Sequence, residues 1–426
     1  MEEPKVPKKE RRFSRRDFLK ITGAAGAGSV AASIGKLSGA SERIEPAASK
    51  PAVVPTRPFG KTGVNVSMLG LGGSQDLMSK QLLLRQAVKM GVTYWDTADS
   101  YEGGNSEKAI GNYFEKYPDD RKKVFLVTKT SSSDPDRMNR HLDTSLQRLK
   151  TSYVDLFFIH AVSDVKDDID KTARAWVEKA KAKGKIRFFG FSTHSNMEQC
   201  LMDGAELGWI DGIMTSFNYR LMHADSMKKA VAACTKAGIG LTAMKTQAKF
   251  FAYFYADIGK ESETSSKLNA QFMRKGYTPE QARLKAVWEN PDIASICSEM
   301  PNMTILQANV AAALNKTKLS FHDKQLLEQY SRETVTGYCA GCARICESAV
   351  EENVPISDIM RCLMYSYSYG DHRKATRLFS SISGTTRKQL ASIDYSKAER
   401  LCPQNISISK VMDEAINRLT SPEYFL

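Results

Sequence analysis

A regular alternation beginning at Arg57 constrains this chain more than any other feature. Short apolar runs rich in β-branched or aromatic residues fall at 67–71, 92–95, 124–127, 154–159, 186–191, 210–215, 239–243 and 293–297. Between them lie amphipathic stretches with helical spacing, among them 80–90, 136–149, 170–183 and 226–237. Strands that alternate with helices pair in parallel through right-handed crossovers, so eight of them predict an α/β fold closed into a (β/α)8 TIM barrel. A doubly wound open sheet is the competing fold. It is disfavoured because no GxGxxG opens a helix after the first strand. The barrel is expected over 56–330. Residues 41–55, "SERIEPAASKPAVVP", mix Pro, Ala, Ser and charge without periodicity and read as a linker. From about Ser331 the alternation stops and the chain reads as helical at 355–367, 371–381 and 407–419, which predicts a small, mostly helical, cysteine-containing domain over 331–426.

In a barrel of this class the functional groups sit at the C-terminal ends of the strands. "YWDTADSY" after the second strand supplies Asp96 and Tyr101, "VTKT" after the third supplies Lys129, and "FFIHA" after the fourth supplies His160. Together they form a proton-donating set. A tyrosine with its ordinary pKa of about 10 is a poor acid at neutral pH, so a neighbouring ammonium is expected to stabilise the phenolate and lower that value. Asp96 is expected to hold Lys129 charged and oriented, and His160 to place the substrate oxygen for proton transfer from Tyr101.

These residues and their surroundings resemble the aldo-keto reductase family. The resemblance runs through "RPFGKTGVNVSMLGLGG", "GVTYWDTADSY", "SLQRLKTSYVDLFFIH" and "KAKGKIRFFGFST", and returns at "ICSEMPNMTILQANVAA". It implies an NAD(P)(H)-dependent oxidoreductase that moves a hydride between nicotinamide and a small carbonyl or alcohol substrate. Tyr101 would be its general acid/base, Lys129 and Asp96 would tune it, and His160 would orient the substrate. It also implies a nucleotide site with departures: Ser192 where the family grips the carboxamide, Thr193 in place of its Asn neighbour, Met214 in place of Gln, and Met244 in place of the aromatic that stacks on nicotinamide. Asn309 matches a position that holds adenine. Glu299 and Ile305 stand where basic residues would clamp a 2′-phosphate, and a Glu there would repel it, so NAD(H) and NADP(H) both stay open. The reduced carboxamide contacts allow a rival reading, a non-catalytic ligand-binding or regulatory barrel. The insertion at 250–272 is expected to shape the substrate mouth.

Eight cysteines are present. Cys200, Cys234, Cys297 and Cys362 fall in apolar stretches and read as small core residues. The others form C-x2-C-x3-C at Cys339, Cys342 and Cys346, plus Cys402 before Pro403. A cysteine followed by proline ends the bacterial ferredoxin run, where it ligates the cluster held mainly by the other run. Counting back from Cys402 by that spacing meets Ala398, Tyr395 and Ser392, so the ligands of one cluster are all present and those of a second all absent. The region resembles the ferredoxin-like C-terminal extension of some aldo-keto reductases, with one extra residue between the second and third cysteines. A single 4Fe-4S cluster is expected, as an electron conduit toward a redox partner protein or as a structural element. Two disulfides or a zinc site are the alternatives.

The formal net charge is +13, and residues 1–40, with nine Lys/Arg against four Asp/Glu, carry five of those charges. The rest shows no basic stripe beside aromatics, so no nucleic-acid partner is expected. "SRRDFLK" precedes the small-residue run "ITGAAGAGSVAASIG" and then Ser38-Gly39-Ala40. With Arg15 and Arg16 as the pair, this resembles a twin-arginine signal peptide over 1–40. It implies recognition by the twin-arginine (Tat) export machinery and a periplasmic or membrane-anchored protein. That route carries folded proteins, which suits a cofactor inserted before transport.

Overall fold

The computed structural model describes residues 52–169, 171–248 and 263–420. The paired arginines and most of the insertion at 250–272 lie outside the described residues. A short antiparallel hairpin, β1 (Thr56–Pro58) and β2 (Asn65–Ser67), opens the fold. Eight parallel strands follow: β3 (Leu69–Gly72), β4 (Tyr94–Asp96), β5 (Phe125–Thr130), β6 (Val154–Ile159), β7 (Ile186–Thr193), β8 (Gly212–Ser216), β9 (Gly240–Met244) and β10 (Ile293–Ser298). They pair in sequence order, and β10 closes the ring between β9 and β3. The expected barrel is therefore the observed one, and closure removes the open-sheet alternative.

The strands are buried almost throughout, as parallel strands covered by helices must be. Tyr94, Phe125, Val127, Leu156, Phe158 and Met214 fill the barrel, and a larger apolar layer lies between the strands and the helices. Two glycines let the strands close. A Cβ on Gly190 of β7 would lie 1.7 Å from the Gly212 carbonyl oxygen of β8, and one on Gly240 would lie 2.5 Å from the Phe59 ring. Phe59 sits between the hairpin strands, is fully buried, and packs on the first residues of β8 and β9. The hairpin thus seals the N-terminal end of the barrel, a role the sequence reading did not foresee.

The other end is covered by the C-terminal helices. Helices Ile356–Tyr369, His372–Ser381 and Ile408–Thr420 share an apolar core built on Ile359, Leu363, Phe379, Leu390 and Met412. The chain from Pro51 onward forms one compact unit. Polar contacts carry this region across the barrel mouth. The Asn196 N–H donates to the Gly341 carbonyl at 2.7 Å, and Ser195 and Ser357 hydroxyls meet at 3.2 Å. Asn218 donates to the Tyr338 hydroxyl at 2.9 Å, Lys245 to the Tyr365 hydroxyl at 2.8 Å, and Lys374 to Glu299 at 3.1 Å. These barrel residues follow β7, β8, β9 and β10, so the helices span much of the rim. Among the described residues no helix is long and apolar enough to cross a membrane.

Candidate active site

Asp96 ends β4, Lys129 lies near the end of β5, and His160 follows β6 directly. Tyr101 opens a short helical turn after β4, Tyr101–Gly104. The Lys129 ammonium lies 2.7 Å from both Asp96 carboxylate oxygens, donates to the Thr97 carbonyl at 2.7 Å, and reaches the Tyr101 hydroxyl at 3.3 Å. It also sits 4.6 Å from the centre of the Tyr101 ring. The His160 ring meets the Tyr101 ring edge-on, 5.5 Å between centres. All four predicted residues therefore lie together at the C-terminal ends of β4, β5 and β6. Ala161, in a left-handed conformation at φ 61°, turns the chain just after His160. That turn is held by Ser192, whose hydroxyl accepts from the Ala161 N–H at 3.1 Å.

The electrostatics correct one expectation. Burial, and then the Asp96 carboxylate, push the Tyr101 phenol well above its ordinary value rather than below it. The reason is geometric: Asp96 already neutralises Lys129, while the C-terminal helices cover the phenol. Burial also raises the Asp96 carboxyl against the opposing pull of Lys129. Burial, with Lys129 next, drives His160 well below its usual range, so its imidazole is neutral at physiological pH.

Of the five expected nucleotide residues, Ser192, Thr193 and Met244 lie at the strand ends of the barrel rim, Met214 lies inside the barrel, and Asn309 is on a covering helix. Ser192 and Met214 are cross-strand partners of β7 and β8, and Met244 pairs with Ser216 at the ends of β9 and β8. Ser192 accepts one hydrogen bond and keeps its own proton, so it fits a carboxamide oxygen. The Thr193 hydroxyl donates to the Ser195 carbonyl at 2.8 Å, which leaves it only as an acceptor. Met214 is buried and offers no amide. Asn309, on helix Met303–Leu314, donates to the Ser298 hydroxyl at 3.1 Å. Glu299 is not the bare charge expected from sequence, because its carboxylate is paired with Lys374.

Sequence reasoning missed a second set at the mouth: His194, Lys245, Arg361, Tyr365 and Lys374. Burial opposes ionisation of the Tyr365 phenol, yet Lys245, Lys374 and Arg361 together pull it down to about 7. Lys245 follows β9 directly, so the rule that found Lys129 and His160 applied there too. Arg361 and Tyr365 are one helical turn apart inside an apolar stretch, the remaining signal.

Among the described residues no group of three or more His, Cys, Asp or Glu side chains is arranged to hold a metal ion, so the expected metal site at Cys339, Cys342, Cys346 and Cys402 does not appear as a formed one. All eight cysteines are free thiols. The four nonetheless line one hollow with Ile345, Met360 and Pro403. Burial first, and the neighbouring thiols next, raise Cys342 and push Cys339 up to about 12.

The sequence profile described as the Aldo/keto reductase family matches residues 67–322, more than half of the chain. The aldo-keto reductase yakc of Schizosaccharomyces pombe, named for NADP(+), is 32% identical over 159 residues, 33% of this chain and 45% of that protein. L-galactose dehydrogenase of Arabidopsis thaliana is 24% identical over 302 residues, 64% of this chain and 92% of that protein. The chain thus spans about half the length of the first relative and nearly all of the second. A thermostable aldo-keto reductase, Tm1743, superimposes with a TM-score of 0.54 at 24% identity, covering 65% of this chain and 99% of that one, a likeness of fold. On the extent of the profile match, the chain belongs to the aldo/keto reductase family.

Proposed function

We propose that this chain is an oxidoreductase that transfers a hydride between NAD(P)(H) and an aldehyde, ketone, sugar or the corresponding alcohol. The observation that carries the reading is the convergence of Asp96, Tyr101, Lys129 and His160 at the covered mouth of a closed barrel. Bound nicotinamide supplies or accepts the hydride, and Ser192, Thr193, Met214, Met244 and Asn309 are the residues that would hold the nucleotide. The chain's own part is the proton. Tyr101 accepts a hydrogen bond from Lys129 and keeps its proton for the substrate oxygen. Its raised pKa holds that proton until hydride arrival makes the oxygen a strong base, and the proton then passes to it to complete the alcohol. Neutral His160 orients the same oxygen, and the C-terminal helices exclude water, which strengthens each of these interactions. The name of the S. pombe relative favours NADP(H), and the Lys374–Glu299 pair removes the sequence argument against a 2′-phosphate. The test is carbonyl-dependent oxidation of NADH or NADPH by the purified protein; no oxidation across aldehydes, ketones and sugars contradicts the reading.

The same proposal assigns one 4Fe-4S cluster to Cys339, Cys342, Cys346 and Cys402, as an electron conduit or a structural element. Its support is the donor chemistry: four thiols and no carboxylate or imidazole line one hollow, whose other walls are mostly apolar side chains with Gln404. A cluster spreads its cysteines around several irons, an arrangement that single-ion geometry does not describe. Protein prepared anaerobically is expected to carry about four irons per chain by this assignment, and Cys402→Ala to lose most of them. Unchanged iron in Cys402→Ala removes that residue from the ligand set, and a zinc-loaded or disulfide-bonded protein overturns the cluster. Arg15 and Arg16 support export in folded form by the twin-arginine route; retention of the Arg15→Lys/Arg16→Lys chain in the cytoplasm is the expected outcome.

A further inference from the structure

A cavity lies between the barrel mouth and the C-terminal helices. His194, Ser216 and Lys245 line it from the ends of β7, β8 and β9, and Tyr338, Ser357 and Arg361 line it from the C-terminal side. No carboxylate is among its lining residues. Nδ1 of His194 and Nε of Arg361 are buried with no hydrogen-bond partner among the described residues. Such atoms are costly to leave unpaired, and they mark a place where a ligand completes the bonding. Arg361 is already fixed by its Nη2, which donates to Asp358 at 2.7 Å, so the remaining edge of the guanidinium is pre-oriented. Lys245 has φ 56°, a left-handed conformation that side-chain-bearing residues rarely adopt, and strain of this kind concentrates at functional sites.

We propose that this cavity anchors the substrate by a negative charge, so that the enzyme acts on small carbonyl compounds carrying a carboxylate or a phosphate ester, held by Arg361, Lys245 and His194. The carbonyl half of the statement rests on the oxidoreductase reading above. The geometry connects the two halves. The His194 ring centre is 6.5 Å from that of His160, which is itself 5.5 Å from that of Tyr101. The cavity's own lining stops at His194, so a substrate anchored there reaches the proton donor by extending past His194 toward His160. A charge-assisted bond to Arg361 fixes the remote end of the substrate and leaves its carbonyl facing Tyr101. Lys245 donates at present to Tyr365, so an arriving anion shares this ammonium with the Tyr365 oxygen or displaces it.

The test is calorimetric titration of the full, nucleotide-free chain with malonate and, separately, with inorganic phosphate, which distinguishes the two anion sources. At least one is expected to bind, with affinity falling tenfold or more in both Arg361→Gln and Lys245→Gln while NADH and NADPH affinities change less than threefold. Two variants guard against misfolding of one. No binding of either anion overturns the proposal. So does an equal loss of nucleotide affinity in the variants, which assigns the cations to the nucleotide's own phosphates. Anion binding needs no turnover, so a chain that binds malonate but never oxidises NADH or NADPH sinks the oxidoreductase reading and leaves the anion site standing.

Discussion

Replacing Tyr101 with Phe lowers carbonyl turnover roughly 100- to 10,000-fold, the range that a positioned general acid contributes. The change removes one hydroxyl and leaves the ring, so the edge-on contact with His160 and the seat beneath the Lys129 ammonium persist. Nucleotide affinity and unfolding midpoint therefore stay close to those of the parent. Steady-state kinetics beside a denaturant titration make the comparison. Turnover within tenfold of the parent means that another group donates the proton, and Tyr365 becomes the next residue to replace.

Replacing Lys129 with Met damages stability as well as activity. Lys129 and Asp96 are both almost fully buried, with side-chain exposures of 1% and 3%. Removing the ammonium leaves a carboxylate that burial already penalises without its partner, and breaking such a pair costs about 3–5 kcal/mol. Urea unfolding near neutral pH measures the loss. The sign of its pH dependence is fixed by Asp96, whose folded-state pKa is raised above the unfolded value. Without Lys129 that pKa rises further, the folded variant binds more protons than the unfolded chain, and the loss shrinks as pH falls. Adding Asp96→Asn, which removes the stranded charge, is expected to recover much of the stability and none of the activity. A single variant that unfolds within about 1 kcal/mol of the parent, the centre of the range for point substitutions in general, contradicts the buried-pair account.

The barrel was legible because each strand is an apolar run of β-branched or aromatic residues bounded by turn chemistry, as at "VDLFFI" for β6. The β1–β2 hairpin was not, since three-residue strands around Pro58 and Gly60 carry no periodicity. Asp96, Tyr101, Lys129 and His160 could be found because strand ends in a barrel converge whatever lies between them. Lys245 obeyed the same rule and was passed over for its neighbour Met244. The partners of Lys245 lie more than a hundred residues further on, at Arg361 and Tyr365, and nothing local in the sequence declares that the helix carrying them covers the mouth. That covering also explains the misread pKa of Tyr101: the sequence shows a phenol near an ammonium but not the burial that outweighs it. Glu299 teaches the same lesson, because its charge is cancelled by Lys374 from the far end of the chain.

The most direct test of the account is fluorescence titration of the purified chain with NADH and with NADPH. The account predicts saturable binding of at least one, with Ser192→Ala weakening it and Tyr101→Phe leaving it unchanged. No binding of either nucleotide would contradict it and leave a barrel that kept its four mouth residues for some other ligand.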